Sequence, residues 1–237
     1  QQELDTVVYP RLEELKLRLK RERILQPAVV YGYFPCHADG DDLVVFRPRD
    51  LSDEALHDTW PKAVYDREEL VEWQRFSFPR QTADRYLCIA DYFRPADTEA
   101  LDVCAFHLVT MGNDASEYTA ALFAGNRYQD YLYVHGLTVE CAEALAEYWH
   151  KSIRTELDIA GRDAADVRRL FSQGYQGSRY SFGYPACPNL EDQVQLFELL
   201  RPERIGVTLT EEFQLVPEQS TSAIIVHHPE AKYFNVK

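Results

Sequence analysis

Thirteen residues, from Gln176 to Pro188, hold the chain's densest group of side chains able to do chemistry: one arginine, two glycines, three aromatics and two prolines. Arg179 is the only formal charge among them. Its planar guanidinium suits a carboxylate or phosphate gripped through two parallel hydrogen bonds. Gly177 and Gly183 permit a positive φ or a close backbone approach to a ligand. Pro185 and Pro188 fix their own φ and push Tyr184 and Cys187 toward extended geometry. The stretch is therefore expected to be a stiff, irregular loop, neither helix nor strand. On these residues alone two readings stand. It is a tight surface loop whose arginine pairs with a neighbouring acid, or it is a ligand loop.

Two acids outside this stretch carry comparable weight. Asp91 interrupts the apolar run Leu87–Phe93, as either a paired structural carboxylate or a site residue. Glu143 shares a helix face with Glu140, Glu147 and His150, and periodicity alone places it in solvent.

The elements that must position these groups follow from hydrophobic spacing. Arg11–Leu25 reads as a helix after Pro10, with Leu12, Leu15 and Leu19 on one face. Ala28–Phe34 and Leu43–Phe46 read as strands joined by a turn at Asp39-Gly40-Asp41, whose acids lack calcium-loop spacing. Leu51–Leu70 reads as short helices and loop. Leu87–Phe93 and Val103–Met111 are expected as core strands. Ser116–Tyr131 and Thr138–Leu157 read as long helices, the second with Leu145, Trp149 and Ile153 toward the core. Further helices are expected at Asp163–Phe171 and Leu190–Leu200, and a strand at Ala223–His227; Leu209–Phe213 is ambiguous. Without a regular βαβ alternation, the fold class is α+β: a single large domain with a mostly antiparallel sheet and several long helices.

Composition excludes several functions. The net charge is −14, from 25 basic and 39 acidic residues, which disfavours nucleic acid as a partner. Lys16, Arg18, Lys20, Arg21 and Arg23 make the first helix a basic exception. Such charges ordinarily mean a solvated helix face; the alternative is docking of an acidic partner. No apolar stretch approaches the eighteen or so residues of a transmembrane helix, so no membrane partner is expected. The five cysteines are scattered without a Cys-x-x-Cys pair, and are read as reduced thiols of a cytoplasmic protein, with no metal site. The polar, acidic start does not read as a secretory signal, and the missing initiator methionine leads us to expect an excised fragment. No G-x-G-x-x-G turn, cobalamin-type Asp-x-His-x-x-Gly or Ser–His–Asp arrangement is present. The histidines are read as surface or packing residues.

Arg179-x-x-x-Gly183-Tyr184-Pro185-Ala186-Cys187-Pro188, preceded by Tyr175-Gln176-Gly177, resembles the signature loop of the activation domain of cobalamin-dependent methionine synthase. Phe78-Pro79-Arg80-Gln81, Cys88-Ile89-Ala90-Asp91-Tyr92-Phe93, the Ala142–His150 helix and Lys232-Tyr233-Phe234 match in the same order. Separated blocks in register are more specific than one motif. The similarity runs from about Arg23 to the C-terminus. The division it implies is an N-terminal helical segment, residues 1–25, and an S-adenosylmethionine-binding activation domain, residues 26–237.

The resemblance implies a site as well. Arg179 would grip the methionyl carboxylate. Asp91 and Glu143 would face the ammonium and sulfonium side. Gly183, Tyr184 and Ala186 would offer backbone contacts, and Tyr233 with Phe234 would close the pocket, an aromatic lying over the sulfonium. No catalytic side chain is implied. Tyr180-Ser181-Phe182 departs from a smaller, proline-containing triplet, and Phe234 stands where a second tyrosine is common.

The implied function is the reactivation module of that enzyme: it presents the methyl group of S-adenosylmethionine for reductive methylation of cob(II)alamin. Cobalamin would be supplied by a cobalamin-binding domain of the same or another chain, and the electron by a flavodoxin-like or other reductase. Turnover by this chain in isolation is not expected. The alternative is a standalone activation-domain relative that serves another corrinoid protein or acts as a non-catalytic binding or scaffold domain.

Overall fold

The computed structural model describes residues 4–52 and 66–236. Most of Leu51–Leu70, expected as short helices and loop, lies outside them. The chain divides into two compact units. The first comprises residues 1–29, 109–147 and 202–221; the second comprises 30–108, 148–201 and 222–237.

The first unit is mainly helical. Helix α1 (Tyr9–Arg21) carries Pro10 in its first turn, where proline is tolerated because the missing N–H would be unpaired there. Its buried Leu15 and Leu19 pack with Leu122 of α2 (Asn113–Ala124) and Val134 of α3 (Tyr128–Glu156). A second cluster joins Met111, Ala115 and Ala142. Arg11 fastens α1 to the start of α3, donating from Nη2 to Asp130 Oδ1 at 2.6 Å. The spacing predicts a helix running through to Tyr131, but the chain breaks at Gly125–Arg127, where Asn126 adopts φ 57°. The next helix begins at Tyr128, ten residues before Thr138, and continues through Gly136. Two short strands, β6 (Thr208–Leu209) and β7 (Leu215–Val216), pair antiparallel in this unit.

The second unit holds most of a six-stranded sheet in the order β3-β2-β1-β4-β8-β5. The strands are β1 (Ala28–Asp39), β2 (Asp42–Pro48), β3 (Leu70–Ser77), β4 (Asp102–Thr110), β5 (Ser178–Ser181) and β8 (Ser220–Val226). The expected hairpin closes β1 onto β2 with Asp39 opposite Asp42, and β2 pairs antiparallel with β3, with a register shift at Val45/Phe46. Alternation splits β1 between two layers. Tyr31 and Tyr33 pack with Trp149 and Ile153 of α3. Phe34, on the other face, meets Phe106 edge-on, and Phe106 stacks on Phe76 at 5.0 Å. Each such ring is worth roughly 1.5–3 kcal/mol in removed apolar surface.

Several sequence expectations fail in this unit. Leu87–Phe93 is not a strand: Ile89–Tyr92 is a 3-10 turn, because the Asp91 carboxylate accepts the Cys88 N–H at 3.1 Å and caps it. Local side-chain bonding beats apolar character there. The expected helix at Asp163–Phe171 shrinks to one turn, α4 (Val167–Leu170), with Asp166 accepting from Arg168 N. By contrast α5 (Asp192–Leu200) falls within its expected range. His150, expected on a polar face, is fully buried.

Candidate functional site

Arg179 lies on a strand, not in an irregular loop as its glycine- and proline-rich surroundings suggest. Gly177 makes this possible. Its φ is +86°, and a Cβ there would sit 2.6 Å from the Val226 carbonyl oxygen, so only glycine lets the chain join β8 so closely. Strand β5 then pairs antiparallel, with Arg179 opposite Ile225 and Tyr180 opposite Ile224. Alternation sends Ser178 and Tyr180 into the core and leaves Arg179 and Ser181 half-buried on the other face. There Arg179 Nη1 donates to Ser181 Oγ at 3.2 Å.

After the strand the chain folds back on itself. Gly183, also at φ +86°, donates its N–H to the Cys187 carbonyl at 2.8 Å, and Cys187 N–H donates to the Tyr184 carbonyl at 2.9 Å. Ala186 and Cys187 are buried by this turn, while Tyr184 stays 53% exposed. The Tyr184 ring thus stands outward on a fixed base.

Asp91 is held by Arg80. The guanidinium donates from Nη1 to Oδ2 and from Nη2 to Oδ1, both at 2.7 Å. The same arginine donates to Asp41 Oδ1 and to the Tyr86 carbonyl. Burial pushes the Asp91 carboxyl up, but the Arg80 bonds and the Cys88 N–H outweigh it and leave it below the usual carboxylate range. Asp91 is therefore an ionised acceptor aimed by a fixed neighbour.

The C-terminal segment is tied to both places. Tyr180 donates its hydroxyl to the Lys232 carbonyl at 2.7 Å. Its ring stacks on Tyr233 at 6.4 Å and meets Phe234 edge-on at 5.7 Å. Tyr92, next to Asp91, packs against both Tyr180 and Phe234. Gln81 donates to the Asn235 carbonyl at 2.6 Å, and Gln173 Oε1 accepts the Tyr233 N–H. Phe234 is buried by these contacts and Tyr233 remains 46% exposed. Burial raises the Tyr233 phenol, and the neighbouring Tyr184 raises it further.

Asp91, Arg179, Gly183, Tyr184, Ala186, Tyr233 and Phe234 are thus carried by segments of the second unit that are bonded to one another or continuous in sequence. Glu143 belongs to the first unit, on α3, and is half-buried rather than solvent-exposed as periodicity implies. The residues that assemble the group, Arg80, Tyr92, Gln173 and Tyr180, are given no ligand role by the sequence. Arg80 and Tyr92 stand inside matched motifs, which is the signal that finds them. Gln173 gives none.

The donor set suits a zwitterionic amino acid bearing an aromatic or cationic extension. It offers a guanidinium for a carboxylate, an ionised acid for an ammonium, and exposed rings for a flat or cationic group. Among the described residues no cluster of histidine, cysteine, aspartate or glutamate could hold a metal ion, and no helix is long and apolar enough to cross a membrane.

The family model described as vitamin B12 dependent methionine synthase, activation domain, matches residues 3–237. Methionine synthase of Mycobacterium tuberculosis is 48% identical over 244 aligned residues, covering 98% of this chain and 19% of that protein. Methionine synthase of Mycobacterium leprae is 47% identical, covering 96% of this chain and 18% of that protein. The chain therefore spans about a fifth of the length of these relatives. A crystal structure of the MetH reactivation domain bound to AdoHcy superposes with a TM-score of 0.80 at 26% identity, covering 99% of this chain and 71% of that one.

Proposed function

For a chain that belongs to the activation-domain family of vitamin B12 dependent methionine synthase, we propose that its second unit binds S-adenosylmethionine and presents the methyl group to cobalamin. The observation that carries this reading is that Tyr180 and Tyr92, the sequence neighbours of Arg179 and of ionised Asp91, stack on each other and hold Tyr233 and Phe234 of the C-terminal segment against them. Arg179, Asp91 and the exposed rings of Tyr184 and Tyr233 match the ligand's carboxylate, ammonium and sulfonium-adenosine parts. The AdoHcy in the related reactivation domain is what remains of this ligand after its methyl group has gone.

When bound, S-adenosylmethionine supplies a methyl cation equivalent to cobalamin that has taken one electron from a reductase, and S-adenosylhomocysteine is left behind. The chain's own residues bind and orient. Arg179 fixes one end by a charge-assisted pair, Asp91 holds the ammonium, and the turn Gly183–Cys187 offers backbone groups from a rigid base. Tyr184 and Tyr233 shield the sulfonium from water. No side-chain nucleophile is required, since positioning alone serves an in-line transfer.

We assign cobalamin to a cobalamin-binding domain of the same or another chain, the electron to a flavodoxin-like or other reductase, and the reaction to the cytoplasm. The division into a helical segment 1–25 and a ligand-binding domain 26–237 belongs to the same reading. Equilibrium dialysis of labelled S-adenosylmethionine against the 237-residue chain tests it. Saturable binding displaced by S-adenosylhomocysteine is expected. Absence of binding would contradict the reading and leave a scaffold role.

A further inference from the structure

The basic face of α1 borders a cleft of about 640 Å³ in the first unit, a volume typical of small-molecule sites. Its walls are apolar: Leu19 of α1, Leu25 just beyond it, and Leu137 with Cys141 on α3. Leu19 belongs to the buried core, so this wall is part of the packed interior. One end is fixed as well. Gln26 donates its backbone N–H to the Met111 carbonyl at 2.8 Å, and its side-chain amide is bonded to Asp114.

The rim has the opposite character. Lys16, Lys20 and Arg23 stand along it. Lys16 is neutralised by Glu13 at 2.7 Å. Among the described residues, Lys20 and Arg23 have no acidic partner, although acidic side chains outnumber basic ones 39 to 25 in the sequence. Two uncompensated cations lining an apolar cleft are complementary to a ligand with an anionic head and a greasy body. Burial raises the Cys141 thiol, which keeps that wall neutral.

We propose that this cleft binds a small amphiphilic anion, its apolar body against Leu19, Leu25 and Leu137 and its carboxylate, sulfonate or phosphate on Lys20 and Arg23. The cleft shares no lining residue with the Arg179 group, and the proposal does not depend on the function assigned there.

Cys141 reports its occupancy. It is the one partly exposed thiol of the five; Cys36, Cys88, Cys104 and Cys187 are buried. Alkylation of the folded 237-residue chain by N-ethylmaleimide is followed by mass spectrometry while decanoate is added below its micellar concentration. Decanoate should slow Cys141 labelling saturably. The double variant K20E/R23E should raise the half-protecting concentration at least ~10-fold, the order expected for losing charged hydrogen bonds. The equal charge change R168E/R169E, at residues that do not line the cleft, should leave it unchanged. Decanol should protect more weakly than decanoate. Lys20 and Arg23 are both exposed, so the variants should keep the wild-type circular dichroism and melting midpoint. No protection by decanoate overturns the proposal. So does equal protection by decanol, or protection that K20E/R23E leaves intact.

Discussion

Arg80 grips Asp91 through two parallel hydrogen bonds of 2.7 Å, one to each carboxylate oxygen. Because Arg80 also bonds Asp41 and the Tyr86 carbonyl, it is itself held, and the acid inherits that fixity.

Arg80→Ala should therefore weaken S-adenosylmethionine binding by releasing Asp91, with only a modest loss of stability. These groups are each more than a third exposed, so about 1 kcal/mol is expected in a urea titration. The pH profile gives a second check. Asp91 has a depressed folded-state pKa, so its contribution is present above the unfolded value of 3.8 and is lost as pH falls through the folded value. The variant and wild type should converge in stability only once the pH has fallen below that folded value. A difference that persists there would assign the cost to packing.

Asp192 behaves in the opposite sense. It sits in the first turn of α5, where the helix end favours an anion, yet burial pushes its pKa up to about 6 despite a hydrogen bond from Asn189. Desolvation wins because, among the described residues, Oδ2 is buried without a partner. Its folded pKa exceeds 3.8, so its penalty is absent below that value and complete above pH 6. Asp192→Asn should stabilise the chain by about 1–2 kcal/mol at pH 8, allowing for desolvation of the new amide. The gain should vanish near pH 4. Denaturant melts at the two pH values decide it.

Tyr180→Phe keeps the buried ring and removes the bond to Lys232. Leaving that carbonyl without its donor should cost about 1–2 kcal/mol. The larger effect should be functional, because Tyr233 and Phe234 are seated on this ring. Ligand affinity should fall further than stability implies, measured by titration at a temperature where both proteins are fully folded.

Two glycines flank β5 at the same φ of +86°, but their surroundings differ. At Gly177 an added Cβ meets the Val226 carbonyl oxygen at 2.6 Å; at Gly183 it meets the Leu190 Cδ2 at 2.9 Å. A leucine tip yields and a paired backbone does not. Each alanine carries strain of roughly 1–2 kcal/mol from φ alone. Gly177→Ala should add to this a loss of β5–β8 pairing, seen as faster amide exchange at Tyr180 and Ile224. Gly183→Ala should leave that exchange unchanged.

Much of the fold is legible in the sequence where apolar runs are long and end at turn residues, as in β1, β2, β4 and β8. Strand β3 is not, because Glu72, Gln74 and Arg75 interrupt its apolar residues and part of it stays open to solvent. Strand β5 hides for a different reason. Its glycines and prolines signal irregularity, and only the pairing partner Val226, some fifty residues away, makes Ser178–Ser181 regular. Asp91 shows the converse, an apolar run turned into a 3-10 turn by one carboxylate. The motif blocks identify most of the site's members without their supports. The bonds from Arg80, Tyr180 and Gln173 join segments too distant in sequence for periodicity to link.

The central claim is that Arg179 anchors S-adenosylmethionine, and calorimetric titration of wild type beside Arg179→Ala tests it most directly. Loss of a charge-assisted pair should weaken binding by about 1.5–3 kcal/mol, roughly tenfold or more, while the melting midpoint changes little. Binding of equal strength in the two proteins would place the ligand elsewhere and contradict the account.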